Sequence, residues 1–350
     1  MHCPNLEELP LPPFGKTGWP WIEESTLWRE TRLNSSFLPS ISIVTPSYNQ
    51  GEFLEETIRS VLLQSYPNLD YIIIDGGSTD RSVEIIKKYQ NYLSYWVSEP
   101  DKGPADAINK GWQKAKGEII AYLNSDDAYL PGALAAVAEA FQQNPEAKAI
   151  CGNELVINRD GFIIRKSNIE KVEHSSLLKL NLIPQPAIFI KSSIVQSLGG
   201  MNLEVRYIFD FELWLRITRT DSMKCIPNFL AVTRWHEQTI TQTQRPAIGS
   251  ELVYIITKET NNFADYLSPA EKKYILFICN RLAMNLHLEG KKILKSIQYA
   301  AQMFSIYPSF GLSFELFTKY ANYLLFGKTV ESLEPIESSR IHWSSFFFNH

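Results

Sequence analysis

Cysteine is scarce in this chain, and long hydrophobic runs are absent. The four cysteines, Cys3, Cys151, Cys225 and Cys279, are scattered over 350 residues with no CxxC pair. This spacing argues against a zinc site and favours free thiols in a reducing compartment. No apolar run approaches the roughly 20 residues of a membrane-spanning helix, and the N-terminus lacks the basic-then-apolar order of a signal peptide. We therefore expect a cytoplasmic protein, either free or peripheral to the inner face of the membrane.

A strong charge of either sign is also missing. Lys and Arg total 34 against 38 Asp and Glu, which gives a formal net charge of −4. No bulk positive field would recruit nucleic acid or anionic lipid, and we expect no nucleic-acid partner. Hydrophobic residues at 45% and charged residues at 21% are typical of a globular protein with a sizeable core. This length suits one large domain with additions, or two domains.

The first 40 residues show no periodicity but hold six prolines and the tryptophans Trp19, Trp21 and Trp28. This composition predicts an extended arm whose aromatic side chains dock on the main domain. A proline-rich recognition segment is the alternative, but no PxxP repeat persists.

From residue 41 onward, apolar strand-like runs alternate with amphipathic helices. Leu54, Ile58, Val61 and Leu62 share one helical face. This alternation with short links predicts right-handed crossovers and an α/β fold with a mostly parallel sheet. After residue 147 the rhythm changes, and residues 150–166 read as a hairpin. From about residue 248 the pattern is helical.

Polar turns follow three of the predicted strands, at residues 45–49, 75–80 and 124–127. Ligands of an open parallel sheet bind beyond the carboxyl ends of its strands. Three such turns indicate a nucleotide and a hard cation. No GxGxxG or GxxxxGK[ST] motif accompanies them, so neither a dinucleotide fold nor a phosphate-loop NTPase is supported.

Two of these turns carry carboxylates suited to the two ligands. Asp126 and Asp127 repel each other unless a cation or solvent relieves them, and Mg²⁺ and Mn²⁺ bind through one or two carboxylates plus substrate phosphates. A solvated turn is the alternative. Asp75 precedes Gly76 and Gly77, so a base or a ribose hydroxyl could approach closely. A strand-to-helix turn capped by Ser78 or Asp80 is compatible with the same residues.

Further candidates lie outside these turns. Asp210 and Glu212 are two residues apart and do not share a helix face, which predicts one facing a cleft and one paired with Arg216. Surface helix charge is the alternative. His236 could contact a phosphate or a metal, and Lys102 could meet a pyrophosphate. A structural histidine and an exposed loop lysine are the plain alternatives.

Six segments taken together resemble an inverting family-2 glycosyltransferase with the nucleotide-sugar-binding GT-A fold, over about residues 40–245. Two departures from the family pattern stand out. Gly76 occupies a position where many members have a second acid, and Asn124 replaces the first acid of the usual D-x-D. The six segments are Thr-Pro-Ser-Tyr-Asn at 45–49, Asp-Gly-Gly-Ser-Thr-Asp at 75–80, Glu-Pro-Asp-Lys-Gly at 99–103, Asp-Ala-Ile-Asn-Lys-Gly at 106–111, Asn-Ser-Asp-Asp at 124–127 and Asp-Phe-Glu-Leu-Trp-Leu-Arg at 210–216.

The resemblance implies a nucleotide-diphosphate sugar donor, most simply a UDP-sugar, and a saccharide or lipid-linked acceptor in polysaccharide or glycolipid assembly. It implies Asp210 as the base that deprotonates the acceptor, and Mn²⁺ or Mg²⁺ held by Asp126 and Asp127, with His236 as a weaker candidate. The nucleotide-binding residues it implies are Thr45, Pro46, Tyr48, Asn49, Asp75, Lys102, Asp106, Asn109 and Asp126.

The domains implied are an arm at 1–40, a GT-A domain at 41–246 and a helical C-terminal extension at 247–350. The GT-A domain divides into a nucleotide-binding half (41–130) and an acceptor half (131–246). The extension is predicted to be a helical accessory that takes no part in catalysis, and its aromatics suggest contact with a membrane surface, a partner or a second subunit, with core burial as the alternative. These aromatics are Phe304, Tyr307, Phe310, Phe314, Phe317 and Tyr320.

Two other functions stay open on the sequence. A sugar-nucleotide pyrophosphorylase should carry a glycine-rich, arginine-containing loop after the first strand, which residues 45–51 lack. A non-catalytic nucleotide-sugar-binding protein would tolerate loss of Asp127 or Asp210, and both are present.

Overall fold

The structure is a computed structural model that describes residues 4–25, 38–181, 183–263, 265–306 and 342–343. Two short 3₁₀ turns, Gln90–Tyr92 and Gln185–Ala187, accompany the regular elements. The strands are β1 (Ile41–Ser47), β2 (Leu69–Asp75), β3 (Tyr95–Ser98), β4 (Ile119–Tyr122), β5 (Ala128–Tyr129), β6 (Ala149–Asn158), β7 (Ile163–Lys166), β8 (Ile188–Lys191) and β9 (Lys224–Trp235). The helices are α1 (Leu54–Leu62), α2 (Ser82–Tyr89), α3 (Pro104–Lys114), α4 (Ala133–Gln143), α5 (His174–Leu178), α6 (Ser192–Leu198), α7 (Phe209–Thr218), α8 (Ile240–Thr243), α9 (Arg245–Asn262), α10 (Pro269–Glu289) and α11 (Ile293–Ile306).

One nine-stranded sheet organises the fold, in the order β3-β2-β1-β4-β8-β6-β9-β5, with β7 paired to β6. Strands β1 to β4 are mutually parallel, as the strand–helix alternation predicts. Beyond β4 the sheet becomes mixed, because β8 runs antiparallel to β4 and β6 while β9 runs parallel to β6. The predicted hairpin is β6–β7. The parallel half places the ends of β1, β2 and β4 at one edge.

Both faces of the parallel half are covered, which explains the unbroken apolar runs in its strands. Ile41 and Ile43 of β1 join one hydrophobic cluster, while Val44 joins a second cluster on the other face. All seven residues of β1 are buried. Burial on both sides holds the strand ends in place, so the polar turns that follow them start from fixed positions.

The N-terminal arm docks on the main domain, as its tryptophans predict. The indole of Trp19 is buried and donates a 2.9 Å hydrogen bond to the carbonyl of Tyr129. Arg59 of α1 is fully buried and donates to the carbonyls of Pro10, Pro20 and Trp21. Trp28 lies outside the described residues. The arm therefore covers α1 through specific polar contacts as well as aromatic burial.

The first C-terminal helix, α9, packs on the main domain, whereas Met284 of α10 and Tyr299 and Met303 of α11 lie in a separate hydrophobic cluster. The predicted boundary between residues 246 and 247 falls within α9, whose Leu252 and Ile256 pack in the same hydrophobic cluster as Phe209 of α7. A capping box begins α10, with the Ser268 hydroxyl accepting from the Glu271 N–H. None of the described helices is long and apolar enough to cross a membrane.

The aromatic residues that suggested an interface in the C-terminal region are only partly visible. Phe304 of α11 is half-exposed, at 45%. Tyr307, Phe310, Phe314, Phe317 and Tyr320 lie outside the described residues.

Candidate active site

The end of β1 presents one accessible aromatic residue. Thr45 and Pro46 are buried within the strand, and the Thr45 hydroxyl lies 3.1 Å from the hydroxyl of Tyr71. Tyr48, directly after β1, is 62% exposed. Asn49 adopts φ +52° and accepts a 2.8 Å hydrogen bond from the Thr79 N–H. The bond between Asn49 and Thr79 joins the turns after β1 and β2. Tyr48 is exposed and can contact a ligand, whereas the Thr45 hydroxyl is bonded within the protein.

Asp75 at the end of β2 is fully buried and well supplied with donors. Its Oδ2 accepts from the Ser98 hydroxyl at 2.7 Å and from the Ser78 N–H at 2.9 Å. Among the described residues, the partner of its Oδ1 is the Ser78 hydroxyl, at 2.5 Å. A carboxylate oxygen has more than one acceptor direction, so Oδ1 keeps capacity for a further donor.

The loop between β3 and α3 closes over the same edge. A Cβ atom added at Gly76 would lie 2.8 Å from Oδ2 of Asp101, so this carboxylate already fills the space beside the glycine. Lys102 is exposed, and its backbone N–H donates to Asp106 at 3.1 Å. Asp106 also lies 3.6 Å from the ammonium of Lys110.

Asn109 does not face this edge as a free amide. Its Nδ2 donates to the Met201 carbonyl at 2.9 Å, and its Oδ1 accepts from the Met201 N–H at 2.8 Å. Both polar atoms are therefore used to join α3 to the loop after α6. The resemblance places Asn109 on the nucleotide, whereas the structure gives it a supporting position.

Asp127, after β4, is turned into the protein. Its side chain is buried, with Oδ1 accepting from the Arg234 N–H at 2.9 Å and Oδ2 from the Asn124 amide at 3.1 Å. Its carbonyl accepts from the Thr57 hydroxyl at 2.7 Å. Burial raises the pKa of Asp127 well above its usual value, and the charge of Asp126 raises it further.

Asp126 points the other way and meets His236. The Nε2 of His236 lies 3.1 Å from Oδ2 of Asp126, and the imidazole packs 5.1 Å from the ring of Phe53. The buried Nδ1 of His236 has no hydrogen-bond partner among the described residues. The three predicted metal-site residues therefore come together, with Asp126 and His236 in direct contact and Asp127 bonded to Arg234 and Asn124.

This donor set fits a divalent cation that also binds phosphate. One carboxylate oxygen and one imidazole nitrogen suit Mn²⁺, and the carboxylate suits Mg²⁺. Within the described ranges, no three His, Cys, Asp or Glu side chains cluster well enough to hold an ion by themselves. A cation here would take its other ligands from a diphosphate and water.

Arg234 is the residue of this site that sequence reasoning missed. It is buried, its Nε donates to the Asp126 carbonyl at 3.2 Å, and its guanidinium pairs with Glu56 of α1. The guanidinium also lies 4.8 Å from the ring centre of Phe53. Its position within β9 gave no local signal in the sequence, because its partners Glu56 and Asp126 lie 178 and 108 positions earlier in the chain.

Asp210 lies at the start of α7. It is half-buried, and its Oδ1 accepts from the Phe211 N–H at 2.7 Å. Burial raises its pKa to about 6, while backbone N–H groups oppose that shift. Glu212 instead pairs with Arg216 at 2.9 Å, as predicted, whereas the cleft-facing role of Asp210 stays a prediction.

Tyr122 connects this carboxylate with the turn after β4. Its ring lies 6.4 Å from that of Phe209, the first residue of α7. Its pKa is raised well above the usual value, mainly by burial and further by the charges of Asp210 and Asp127. The charges of both carboxylates therefore act on one tyrosine.

Comparison with known proteins identifies the family. The family model for Glycosyl transferase family 2 matches residues 42–195, from β1 into α6. An uncharacterised glycosyltransferase of Mycobacterium tuberculosis is 32% identical over 183 residues, 51% of this chain and 68% of that protein. The putative teichuronic acid biosynthesis glycosyltransferase TuaG of Bacillus subtilis is 28% identical over 190 residues, 53% of this chain and 74% of that protein.

Solved structures confirm the fold. TarS of S. aureus, residues 1–349 in complex with UDP-GlcNAc, has a TM-score of 0.58 at 16% identity and covers 76% of this chain and 81% of its own. The mannosyltransferase PcManGT of Pyrobaculum calidifontis, in complex with GDP-Man and Mn²⁺, has a TM-score of 0.53 at 19% identity, covering 86% of each chain. The fold is thus that of a GT-A glycosyltransferase. The chain belongs to glycosyltransferase family 2, and it is a transferase enzyme.

Proposed function

We propose that this enzyme moves a sugar from a nucleoside diphosphate donor to an acceptor hydroxyl with inversion at the anomeric carbon. The observation that carries the proposal is Asp210, a half-buried carboxylate at a helix start whose pKa is raised to about 6 by burial. A general base works best with a pKa near the working pH. Inverting glycosyl chemistry needs one carboxylate to activate the nucleophile opposite the leaving group.

A UDP-sugar is the proposed donor, and a saccharide or lipid-linked hydroxyl the proposed acceptor. The structurally similar TarS was solved with UDP-GlcNAc, which supports a donor of this class. TuaG is named for teichuronic acid biosynthesis. A poly-β-1,6-N-acetyl-D-glucosamine synthase of Staphylococcus epidermidis is 31% identical over 140 residues, 39% of this chain and 33% of that protein. These names support a role in cell-surface polysaccharide or glycolipid assembly. Membership of a glycosyltransferase family favours transfer over the pyrophosphorylase alternative.

The nucleotide would lie across the ends of β1 and β2. Tyr48 is exposed there and presents its ring to the base, while Oδ1 of Asp75 keeps an acceptor position for a base N–H. Lys102, which is exposed in the loop after β3, would meet the diphosphate. Thr45 and Asn109 support the site from behind, since their polar atoms are bonded within the protein.

Asp126 and His236 would hold Mn²⁺ or Mg²⁺ on the donor diphosphate. When bound, the ion neutralises the charge that develops on the leaving diphosphate. Asp127 and Arg234 stabilise the turn from inside the protein, because Asp127 accepts a hydrogen bond from the Arg234 N–H and Arg234 donates one to the Asp126 carbonyl. Asp127 is thus proposed to orient Asp126 rather than to face the ion itself.

Asp210 would accept the proton of the acceptor hydroxyl as that oxygen attacks the sugar. Its carboxylate must be ionised to do so, and a pKa of about 6 leaves it mostly ionised at neutral pH. Glu212 is held by Arg216 and takes no part in this proton transfer.

Diphosphate release from a panel of sugar nucleotides tests the proposal. Purified protein is incubated with UDP-, GDP- and other nucleotide sugars, with and without Mn²⁺ and a saccharide acceptor. We expect release to need the cation and to rise with acceptor for one donor class. Product anomeric configuration, measured by NMR, distinguishes inversion from retention. A retained configuration would contradict the proposed mechanism.

A further inference from the structure

Helix α9 directs one carboxylate at the loop that leads into α7. Oε1 of Glu251 accepts from the Arg206 N–H at 2.7 Å. Oε2 accepts from the N–H groups of Tyr207 at 2.9 Å and Ile208 at 3.2 Å. One side chain therefore receives three successive backbone N–H groups, and they end two residues before Asp210.

These contacts supply what the start of α7 lacks. The residue before the helix, Ile208, provides no side-chain cap. N–H groups at a helix start have no partner inside the helix, and an anion there is also favoured by the helix dipole. A carboxylate can accept several charge-assisted hydrogen bonds at once, which a neutral amide cannot match. From a different helix, Glu251 thus binds the N–H of Ile208, the residue before α7, and the two N–H groups that precede it.

Helix α9 is itself well anchored, so it can serve as a fixed support. Leu252 and Ile256 are buried in the cluster that contains Phe209. Eight residues along α9, buried Glu259 receives two 2.6 Å hydrogen bonds from Arg219, just after the end of α7. Helix α9 therefore contacts both ends of the helix that carries Asp210.

We propose that Glu251 is a positioning residue for Asp210. Its carboxylate fixes residues 206–208, and this in turn sets where the Asp210 carboxylate meets the acceptor hydroxyl. The inference rests on the proposed role of Asp210 as the base. It gives the C-terminal helices a part in the acceptor half of the site and none in nucleotide binding.

The test compares Glu251→Gln with Glu251→Asp and with Glu204→Gln in the intact chain. Glu204 is an exposed acid in the same loop region, so Glu204→Gln is the matched control for lost charge. We expect Glu251→Gln to lower kcat by roughly 10- to 100-fold, the scale of a misplacement of about 1 Å. The dissociation constant for UDP, measured by calorimetry, should stay unchanged. Glu251→Asp should restore part of kcat because it keeps the charge.

A double-variant comparison separates positioning from general damage. If Glu251 acts through Asp210, then Glu251→Gln should cause no further loss in an Asp210→Asn background. Equal losses of kcat and UDP affinity in Glu251→Gln would overturn the inference, and so would wild-type kcat in this variant. If Glu251→Gln fails to fold, the same readouts apply to Glu251→Asp. Wild-type turnover of Asp210→Asn alone would instead remove the proposed base, and the inference with it.

Discussion

The two halves of the site hold their carboxylates by different means. In the nucleotide-binding half, Asp75 is buried and takes hydrogen bonds from Ser78, three residues on, and from Ser98 at the end of the neighbouring strand. In the acceptor half, Asp210 accepts from its neighbour Phe211, and its loop is held by Glu251, 43 to 45 positions later. One half is organised by adjacent strand ends and the other by a distant helix.

The difference teaches which part of a site tolerates change. Parallel strands covered on both faces leave little freedom at their ends, so a binding surface built there is pre-organised. A helix start held by one carboxylate from another element depends on that element staying in place. We therefore expect changes in the acceptor half to act on turnover, and changes in the nucleotide-binding half to act on affinity.

The largest effect expected on this comparison is that of Asp210→Asn. The substitution keeps the shape and removes the basicity, so transfer should fall by roughly 10²- to 10⁴-fold, the usual contribution of a general base. UDP affinity should be near normal. Glu212→Gln is the matched control and should be milder, because Glu212 pairs with Arg216. If Glu212→Gln loses turnover while Asp210→Asn keeps it, the two roles must be exchanged.

Metal removal should be the next largest effect. Treatment with EDTA, or Asp126→Asn, should lower turnover by on the order of 10²-fold, because the leaving diphosphate loses charge stabilisation. Added Mn²⁺ should restore the EDTA-treated enzyme, while Asp126→Asn should need more Mn²⁺ for half-activation. Asp127→Asn should also lower turnover, through disorder of the turn that Arg234 and Asn124 hold. Full activity after EDTA treatment would mean that the metal role is wrong.

The sequence could predict the residues of the site that lie at strand ends, but not those that depend on distant contacts. Asp75, Asp126 and Asp127 could be proposed from the sequence because each follows a strongly apolar strand, and topology brings such ends together. Arg234 and Glu251 were missed because their importance comes from partners more than 40 positions away, at Glu56, Asp126 and residues 206–208. A local sequence pattern does not reveal contacts between residues so far apart in the chain.

Asn109 shows a contact that the motif alone does not reveal. The segment Asp-Ala-Ile-Asn-Lys-Gly matches the family pattern, which places Asn109 on the nucleotide. Its helical position turns the amide toward Met201, 92 positions later in the chain. The parallel sheet of the first half was predictable from strand–helix alternation, whereas the mixed order β8-β6-β9-β5 was not, because antiparallel insertion depends on pairing between distant strands.

Asp75→Ala should affect affinity rather than turnover. Removing this buried carboxylate leaves the N–H and hydroxyl groups of Ser78 and the Ser98 hydroxyl without their acceptor. UDP binding should weaken by roughly 1–3 kcal/mol, the cost of unpairing a buried polar contact. Asp70→Ala is a suitable control, since Asp70 lies at the opposite end of β2 and bonds Ser42. Calorimetry showing unchanged UDP affinity for Asp75→Ala would remove Asp75 from the site.

The smallest expected effect is a pH dependence specific to the acceptor half. Burial raises the pKa of Asp210 to about 6, so its ionised fraction falls as the pH drops below that value. In a saturating-acceptor assay, turnover should fall by about tenfold per pH unit below pH 6, as expected for a base lost by protonation. UDP affinity, measured over the same range, should not follow this curve. A turnover that stays flat down to pH 5 would exclude Asp210 as the titrating base.

The pH dependence of the free energy of unfolding independently checks the pKa of Asp210. Its direction follows from which state, folded or unfolded, binds the proton more tightly. A carboxylate with a raised folded pKa binds its proton more tightly in the folded state, so ionised Asp210 destabilises the fold as the pH rises through its pKa of about 6. The substitution Asp210→Asn removes this destabilisation, most of which is present at pH 7.5 and less of which is present at pH 4.5. The change in the free energy of unfolding that the substitution causes should therefore be more stabilising at pH 7.5 than at pH 4.5 by about 1–2 kcal/mol. Denaturant titrations at the two pH values measure this difference. Equal effects at both pH values would show that Asp210 has an ordinary pKa, and the acid limb of the turnover profile would then belong to another group.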